Sequence, residues 1–230
     1  MENDRHMGLN KITKPESLAK KVTKSLRQSI LNNELTPNVI YNEKSIAQDL
    51  GISRTPVREA LLELSAKRLV KFLPQKGVVI NTFTLQDIDD AFEIRTALEV
   101  FSVQKLCLNA NSLDTTSLEK CLTDQKTAVT EKDAILFMEA DRNFHIGFTR
   151  LTKNNYLIDM MEDIRDIMHL MGFKALGITG RMQAVVKEHQ KILAAVQQKN
   201  VSLAMDQMRV HLENSRDAVK TVYEGLQLPG

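Results

Sequence analysis

The sequence predicts a mostly α-helical protein of 230 residues, in which an N-terminal winged helix-turn-helix precedes an all-α bundle of six to seven helices. Three features of the chain lead to this prediction. Apolar residues recur at helical spacing over most of its length, the β-rich runs lie together shortly before residue 81, and the helix-interrupting residues are few, with nine Gly and five Pro. We expect one domain over 15–81 and a second over 85–225.

The first domain is expected to begin with an amphipathic helix over 17–32, because its apolar residues recur every three to four positions. These residues are Leu18, Val22, Leu26, Ile30 and Leu31. Residues 33–41 contain Pro37 and are typical of a loop. A short helix over 45–50 follows, and Gly51 is the residue best suited to the left-handed conformation that ends a helix.

A third helix is expected to begin after Ser53, whose hydroxyl would cap it. Pro56 falls in its first turn, where the backbone N–H groups have no helical partner to lose. The buried stripe of this helix comprises Val57, Ala60, Leu61 and Leu64. Two β-rich runs then flank the turn residues 74–77, which predicts a hairpin. Helix, short helix, tight turn, helix and hairpin are the order of a winged helix-turn-helix.

Charge is distributed unevenly along the chain. The first 80 residues contain 14 Lys and Arg against 8 Asp and Glu, whereas the remainder contains 17 against 21. This asymmetry favours a nucleic acid as the partner of the first domain. The third helix begins with residue types that contact base edges and phosphates in the major groove, namely Ser53, Arg54, Thr55 and Arg58. The alternative is that both arginines are solvated charges on an exposed helix face.

The segment 42–62 resembles the GntR family of bacterial transcription regulators, and the resemblance extends over about 17–80. It is closest over the run Ser53-Arg-Thr-Pro-Val-Arg-Glu-Ala60. The resemblance implies a set of DNA contacts made by Lys44, Ser53, Arg54, Thr55, Arg58, Lys76 and Gly77. Position 44 is commonly Arg in this family, and Lys44 is better suited to a phosphate contact than to a bidentate base contact.

After Thr84 the chain is predicted to be helical. Six amphipathic segments are separated by short links: 85–108, 113–132, 133–151, 155–172, 179–198 and 201–224. Cys107 and Cys121 lie inside two of them, and we expect no disulfide framework. No apolar run approaches the ~20 residues that span a bilayer, and the N-terminus lacks the apolar core of a signal peptide. We therefore expect a cytoplasmic protein without a membrane partner.

Three histidines and one aspartate in the bundle are candidate metal ligands. Asp141 and His145 are four residues apart and share one helix face, whereas His189 and His211 lie in the middles of two later helices. Three imidazoles and a carboxylate suit Zn²⁺, Ni²⁺, Mn²⁺ or Fe²⁺ better than Ca²⁺. Spacing alone leaves open the alternative that each is a hydrogen-bonded core histidine. His169 has no partner at ligand spacing and is interpreted as structural.

Four motifs in the bundle resemble the FCD domain, which defines the FadR subfamily of the GntR family. They are IRTALE at 94–99, DRNFH at 141–145, EHQKI at 188–192 and MRVHL at 208–212. The resemblance implies that a divalent transition metal, Zn²⁺ in a purified sample, is held by Asp141, His145, His189 and His211.

The same resemblance implies that Arg95 binds the carboxylate of a small organic acid, such as a di- or tricarboxylate or a sugar acid. The alternative for Arg95 is a buried ion pair with Glu99 that ties helices together. Asn214, one turn after His211, is a further candidate for contact with this effector.

These features together predict a metabolite-responsive transcription regulator, and a repressor, since most members of the family repress. We expect a homodimer on a pseudo-palindromic operator whose half-sites lie ~34 Å apart. Two alternatives remain open. One is a metalloenzyme that uses the same four ligands, for which no spare acid or base stands out beyond Glu99 and Glu139. The other is a DNA-binding dimer whose metal is purely structural. We predict no catalytic residue.

Overall fold

A computed structural model describes residues 16–109 and 113–227, so that residue 15, the predicted start of the first domain, lies outside it. Within these residues the chain forms nine α-helices, one short 3₁₀ helix at Phe173–Gly177 and one two-stranded sheet. The elements in order are α1 (Leu18–Leu31), α2 (Glu43–Asp49), α3 (Arg54–Ala66), β1 (Val70–Leu73), β2 (Gly77–Ile80), α4 (Leu85–Asn109), α5 (Thr116–Glu131), α6 (Ala134–Leu151), α7 (Asn155–Gly172), α8 (Arg181–Gln197) and α9 (Val201–Gln227). This order confirms the predicted fold class.

The helix-turn-helix is formed by α2 and α3, and α1 packs across α3. Gly51 has the expected positive φ of 65° in the turn between the two helices. Helix α2 begins two residues earlier than predicted, because the Asn42 side chain accepts a hydrogen bond from Lys44 N (2.8 Å) and caps it. Ser53 occupies the N-cap position of α3, but its hydroxyl makes no capping hydrogen bond, so that part of the prediction was wrong.

The wing is the antiparallel hairpin of β1 and β2, in which Val70 lies opposite Ile80. Tyr41 adds a short bridge to Val78 on the outer edge of this hairpin. Gly77 begins β2 with φ 134°, and a Cβ atom at this position would lie 2.4 Å from the carbonyl oxygen of Tyr41. Only glycine therefore fits where the wing passes the strand-like segment at Tyr41.

The bundle is arranged around its two longest helices, α4 and α9, which pack along each other. Helix α8 packs on α9, α5 packs on α6, and α6 packs on α7. The helix predicted from residue 179 begins at Arg181, because Gly180 adopts a left-handed conformation (φ 80°) immediately before it. The helix predicted from 113 begins at Thr116, and the 3₁₀ helix after α7 was not predicted.

The two parts of the chain meet through a short and well-tied junction. Asn81 donates hydrogen bonds from its backbone N to Leu69 O and from its side chain to Arg68 O, each at 3.0 Å. Thr84 and Asp87 cap the start of α4 reciprocally: Thr84 N donates to Asp87 Oδ2 (2.9 Å), and Asp87 N donates to Thr84 Oγ1 (3.1 Å). The segment between the two parts is therefore held at both ends.

A second contact between the two parts is made by α1 and α7. On α7, the His169 Nε2 atom donates to Leu31 O (2.7 Å), and Asp166 accepts from Arg27 of α1. In the described part of the chain, no helix is both long enough and apolar enough to span a membrane.

Candidate functional site

Three histidines from three helices converge inside the bundle. His145 of α6, His189 of α8 and His211 of α9 are all buried, and each offers a ring nitrogen within 4.8 Å of the others. The Nε2 atoms of His189 and His211 are only 3.3 Å apart. Residues that are separated by up to 66 positions in the sequence are thus brought to one point by the packing of α6, α8 and α9.

The opposite ring nitrogen of each histidine is held by a hydrogen-bond acceptor. His145 Nδ1 contacts Glu99 Oε2, His211 Nδ1 lies 2.7 Å from Glu188 Oε2, and His189 Nδ1 lies 3.0 Å from Gln125 Oε1. Carboxylate and amide oxygens only accept hydrogen bonds, so each Nδ1 carries the proton and each Nε2 keeps its lone pair. This is the arrangement by which proteins orient histidines toward a metal ion.

Asp141 completes the cluster. Its Oδ1 atom lies 3.6 Å from His145 Nε2 and 3.7 Å from His189 Nε2, while its Oδ2 atom accepts a hydrogen bond from Arg165. Two Nε2 lone pairs that face each other at 3.3 Å repel unless a cation or a proton lies between them. The donor set of three imidazoles and one carboxylate therefore fits a divalent transition metal.

The protonation states of these groups also suit a metal site. Burial lowers the pKa of His189 and of His211 well below the usual histidine range, and the neighbouring imidazoles lower it further. Both rings are consequently neutral near pH 7, as metal ligands must be. Burial alone would raise the pKa of Asp141, but the adjacent Arg165 guanidinium opposes that effect, and this pKa lies well below its usual value.

A cavity of about 50 Å³ lies beside the histidine cluster. Its wall includes Arg95 and two further arginines, Arg165 and Arg181, which the sequence analysis did not single out. Arg95 donates from Nε to Glu99 Oε1 (2.6 Å) and lies 2.9 Å from His145 Nε2 through its Nη2 atom. The ion pair with Glu99 is thus present, although it lies within one helix. Arg95 also lines the cavity, and its contact with an effector stays a prediction.

Asn214 lies apart from this cavity. Its side chain is exposed and donates from Nδ2 to Glu188 Oε1 (3.0 Å), and Glu188 in turn contacts His211. The neighbouring Ser215 lines the cavity instead. Asn214 is thus placed to support Glu188, the hydrogen-bond partner of His211, and it does not line this cavity.

The predicted DNA-contacting residues lie together on one exposed face of the helix-turn-helix. Arg54, Arg58, Lys76 and Gly77 line a cleft of about 380 Å³ between the start of α3 and the wing. Lys44, Ser53 and Thr55 are exposed beside this cleft. Arg54 is paired with Glu43 (3.3 Å) across the surface, and the Ser53 hydroxyl makes no bond to its own helix. Groups that can bind phosphates and base edges are thus grouped on one face.

Comparison with known proteins gives matches to two family models. Residues 18–80 match the model of bacterial regulatory proteins of the gntR family, and residues 90–214 match the FCD domain. The chain belongs to the GntR family. Its helical bundle is accordingly an FCD domain, and the two motif-based resemblances found in the sequence are confirmed.

Individual relatives and structures agree with this assignment. The HTH-type transcriptional regulator YdhC of Bacillus subtilis is 28% identical over 219 residues, which cover 93% of this chain and 96% of YdhC. The HTH-type transcriptional repressor RspR of Escherichia coli is 23% identical and covers 86% of each chain. The structure of Escherichia coli McbR/YncC has a TM-score of 0.79 at 21% identity and covers 90% of this chain and 99% of its own.

A structure of the metal-free FCD domain of TM0439 also matches, with a TM-score of 0.51 at 19% identity, over 63% of this chain and 99% of its own. The GntR-family protein is therefore a bacterial transcription regulator with repressors among its relatives, and it is not an enzyme. The metalloenzyme alternative is not favoured.

Proposed function

We propose that this GntR-family regulator is a homodimeric repressor whose affinity for a pseudo-palindromic operator is controlled by a small organic acid at a metal site in the FCD domain. The observation that carries this proposal is the convergence of three Nε2 lone pairs of buried histidines beside Asp141. Core histidines with only a structural role do not need their lone pairs to face one another.

Four residues would hold the metal, namely Asp141, His145, His189 and His211. When bound, a divalent ion such as Zn²⁺, Ni²⁺, Mn²⁺ or Fe²⁺ would supply open coordination positions for a carboxylate. Glu99, Gln125 and Glu188 keep the three imidazoles in the tautomer that this role requires. Arg95 lines the same cavity and pairs with the acid through charge-assisted hydrogen bonds.

The cleft between α3 and the wing is the proposed operator contact. Arg54 and Arg58 read base edges in the major groove, while Lys44, Ser53 and Thr55 bind phosphates at the start of α3. Lys76 at the tip of the wing binds the adjacent backbone, and Gly77 allows the wing to turn there. This assignment is supported by the exposure of the six side chains that it names.

Helix α7 is the proposed connection between the two sites. Its adjacent residues Arg165 and Asp166 face in two directions: Arg165 contacts Asp141 of the metal cluster, whereas Asp166 accepts hydrogen bonds from Arg27 of α1. Arg142, next to Asp141 on α6, also donates to Asp166 (2.8 Å). Any movement of α6 against α7 on ligand binding therefore shifts the carboxylate that holds the DNA-binding domain.

The proposed dimer interface is an apolar stripe on α4. Ile94, Phe101 and Leu108 follow one another at intervals of seven residues and are 57%, 48% and 63% exposed. Residues seven apart lie on the same face of a helix, and such a stripe on a single chain favours burial against a second copy. Two copies would present two winged helices to half-sites ~34 Å apart.

The test begins with an operator duplex selected from random DNA by the purified protein. Elemental mass spectrometry should find about one transition metal per chain in the wild type and none in His211→Ala. His169→Gln, which changes a histidine outside the cluster, should keep the metal. Arg58→Gln should keep the metal but lose about 1–3 kcal/mol of binding free energy for the selected duplex.

The response of operator affinity to ligands separates the remaining alternatives. We expect added zinc together with organic acids to change the Kd for the duplex in the wild type and not in His211→Ala. The wild type could instead contain a metal that His211→Ala loses, while no added ligand changes the Kd of the wild type for the duplex. That result would support the alternative of a DNA-binding dimer with a structural metal.

A further inference from the structure

A cleft of about 600 Å³ lies between the DNA-binding domain and the FCD domain. The loop between α1 and α2, the end of β2 and residues 81–83 line it from one domain and the junction, and the ends of α7 and α9 line it from the other. It shares no lining residue with the cavity beside the histidines. Its volume lies within the range of about 300–1,000 Å³ that is typical of small-molecule sites.

The cleft is lined mainly by apolar side chains, and three of them are aromatic. The rings belong to Phe83 before α4, Phe173 in the 3₁₀ helix and Tyr223 on α9. Ile30 and Ile80, which are buried in the core of the DNA-binding domain, also contribute to the lining. Aromatic side chains pack favourably against other rings in offset or edge-to-face arrangements. The lining therefore favours a ligand that contains rings.

Lys174 is the one charged side chain among the residues that line this cleft. It is exposed, and no carboxylate of the described residues pairs with it. Asn33, Thr36 and Asn38 add neutral polar groups. A positive charge without a partner at the edge of an apolar cleft complements a ligand with one negative charge.

The side of the cleft that belongs to the DNA-binding domain is held by hydrogen bonds. Leu35 N donates to Ser29 O (3.2 Å), and Thr36 N donates to the hydroxyl oxygen of Tyr41 (2.8 Å). These bonds fasten the loop between α1 and α2 before any ligand arrives. Binding to a site that is already formed costs little ordering of the chain.

The cleft also lies where the two domains pack against each other. Leu170 of α7 packs against both the core of the DNA-binding domain and a cluster of the FCD domain. Phe173 stacks on His169 with ring centroids 6.1 Å apart, and His169 Nε2 donates to Leu31 O at the end of α1. A ligand that contacts both walls therefore binds best to one relative placement of the domains.

We propose that this cleft between the domains binds a ring-containing monoanion, with its rings among Phe83, Phe173 and Tyr223 and its charge beside Lys174. The site is separate from the proposed metal site and requires no metal. Because its walls belong to both domains, a molecule bound there changes the affinity for the operator. Only this regulatory consequence rests on the proposed function.

Anilinonaphthalene sulfonate (ANS) is the probe that tests this proposal, because it carries one sulfonate on an aromatic body and fluoresces in apolar sites. Phenylnaphthylamine has the same rings without the sulfonate. We expect saturable binding of about one ANS per chain to the full-length wild type. Lys174→Gln should weaken ANS binding about threefold to fivefold and leave phenylnaphthylamine binding within about 1.5-fold. Lys187→Gln, which changes an exposed lysine on α8, is the matched control and should bind both probes as the wild type does.

Removal of an aromatic ring from the cleft should affect both probes. We expect Tyr223→Ala to weaken the binding of ANS and of phenylnaphthylamine about tenfold. Tyr156→Ala removes a tyrosine that is 82% exposed on α7 and lies outside the cleft, so it should bind both probes as the wild type does. Misfolding cannot imitate the loss, because partly unfolded proteins bind more ANS.

Operator affinity and the metal site are tested with the same probe. Saturating ANS should change the Kd of the wild type for the selected duplex at least about fivefold, and the same ANS concentration should have no such effect on Tyr223→Ala. His211→Ala should bind ANS as the wild type does. Loss of ANS binding in that variant would overturn the separation of the cleft from the metal site.

The remaining outcomes also decide the proposal. A wild type that binds no ANS, or an ANS affinity that neither Tyr223→Ala nor Lys174→Gln lowers, would overturn the site. An ANS affinity that falls as the chains associate would instead assign the cleft to a second copy of this chain. ANS binding that depends on Tyr223 and Lys174 but leaves the Kd for the duplex unchanged would overturn the regulatory role. Failure to select any duplex would overturn the proposed function and leave the binding site standing.

Discussion

Arg27 of α1 and Asp166 of α7 form a two-point ion pair across the boundary between the DNA-binding domain and the FCD domain. Arg27 Nε donates to Asp166 Oδ2, Arg27 Nη2 contacts Oδ1, and the carboxylate is almost fully buried. Burial lowers the pKa of Arg27 less than its hydrogen bonds to Asp166 raise it, so that this pKa lies above its usual value. The Arg27 guanidinium therefore keeps its charge at neutral and mildly alkaline pH.

Loss of the Arg27–Asp166 pair should uncouple the metal site from the operator contact. In Arg27→Gln we expect the ratio of two operator Kd values, one for metal-free protein and one for protein loaded with zinc and an organic acid that changes the wild-type Kd, to fall to within about twofold of one. Couplings of about 5–150-fold are typical of allosteric proteins. Metal content should not change, because Arg27 lies outside the cluster. Fluorescence anisotropy with the selected duplex measures the ratio.

Lys24→Gln is the matched control for this prediction. Lys24 is an exposed cation on the same helix, and among the described residues it pairs with Glu16, close to it in sequence. It should retain the full response of the wild type. If Arg27→Gln also retained that response, the path through α7 would be excluded.

The stability of the protein should fall in mild acid partly through His169. Burial lowers the pKa of His169 to about 4, from an ordinary value of 6.5. As the pH falls below 6.5 the unfolded chain takes up a proton that the folded chain does not, so the stabilising contribution declines until pH 4. Between pH 7 and pH 5 this residue alone should account for about 2 kcal/mol of lost stability.

Urea unfolding of His169→Gln checks this expectation, because glutamine can still donate a hydrogen bond to Leu31 O but does not titrate. The loss of unfolding free energy from pH 7 to pH 5 should be smaller than in the wild type by about 2 kcal/mol. Equal losses in the two proteins would show that His169 is not the group responsible.

The wing should tolerate no side chain at Gly77. We expect Gly77→Ala to lower the free energy of unfolding by about 3 kcal/mol, because its Cβ would collide with Tyr41 O and its φ is positive. Gly51→Ala has a positive φ but open space around its Cβ, and should cost only about 1 kcal/mol. Thermal unfolding of the two variants compares the costs, and similar values would argue against the collision.

The apolar stripe on α4 should be required for dimerisation. Phe101→Glu places a charge in the middle of the stripe, and we expect sedimentation velocity to show a monomer at concentrations where the wild type is a dimer. Leu62→Glu, which changes a similarly exposed apolar residue on α3, should remain dimeric. A dimeric Phe101→Glu protein would place the interface elsewhere.

Much of the helix-turn-helix was predictable because its signals are local. Gly51, Ser53 and Pro56 mark the turn and the start of α3 within six residues, and the chain folds there as those residues dictate. The Ser53 hydroxyl is the exception. Whether this hydroxyl makes the capping hydrogen bond depends on its side-chain rotamer, which no sequence pattern indicates.

The individual candidate ligands of the metal site could be predicted from the sequence, but their convergence could not. Asp141 and His145 share one helix, but nothing local shows that α8 and α9 bring His189 and His211 to the same point. Gln125, which holds His189 Nδ1, carries no sequence signal at all. Glu188 could have been suspected as the residue preceding His189, since metal-ligating histidines need acceptors. Whether these four donors bind a metal stays a prediction.

The short junction between the two domains limits how this regulator can be rebuilt. Asn81 is tied to the wing and Thr84 to the start of α4, so only Thr82 and the buried Phe83 lie between the fastened ends. A chimera that joins a foreign DNA-binding domain at this point would keep the connecting segment and Asp166. It would lose Arg27, the residue with which Asp166 pairs. If the two sites are coupled through α7 as proposed, we expect a transplanted DNA-binding domain to respond to the metal site only when its own first helix places a cation where Arg27 now lies.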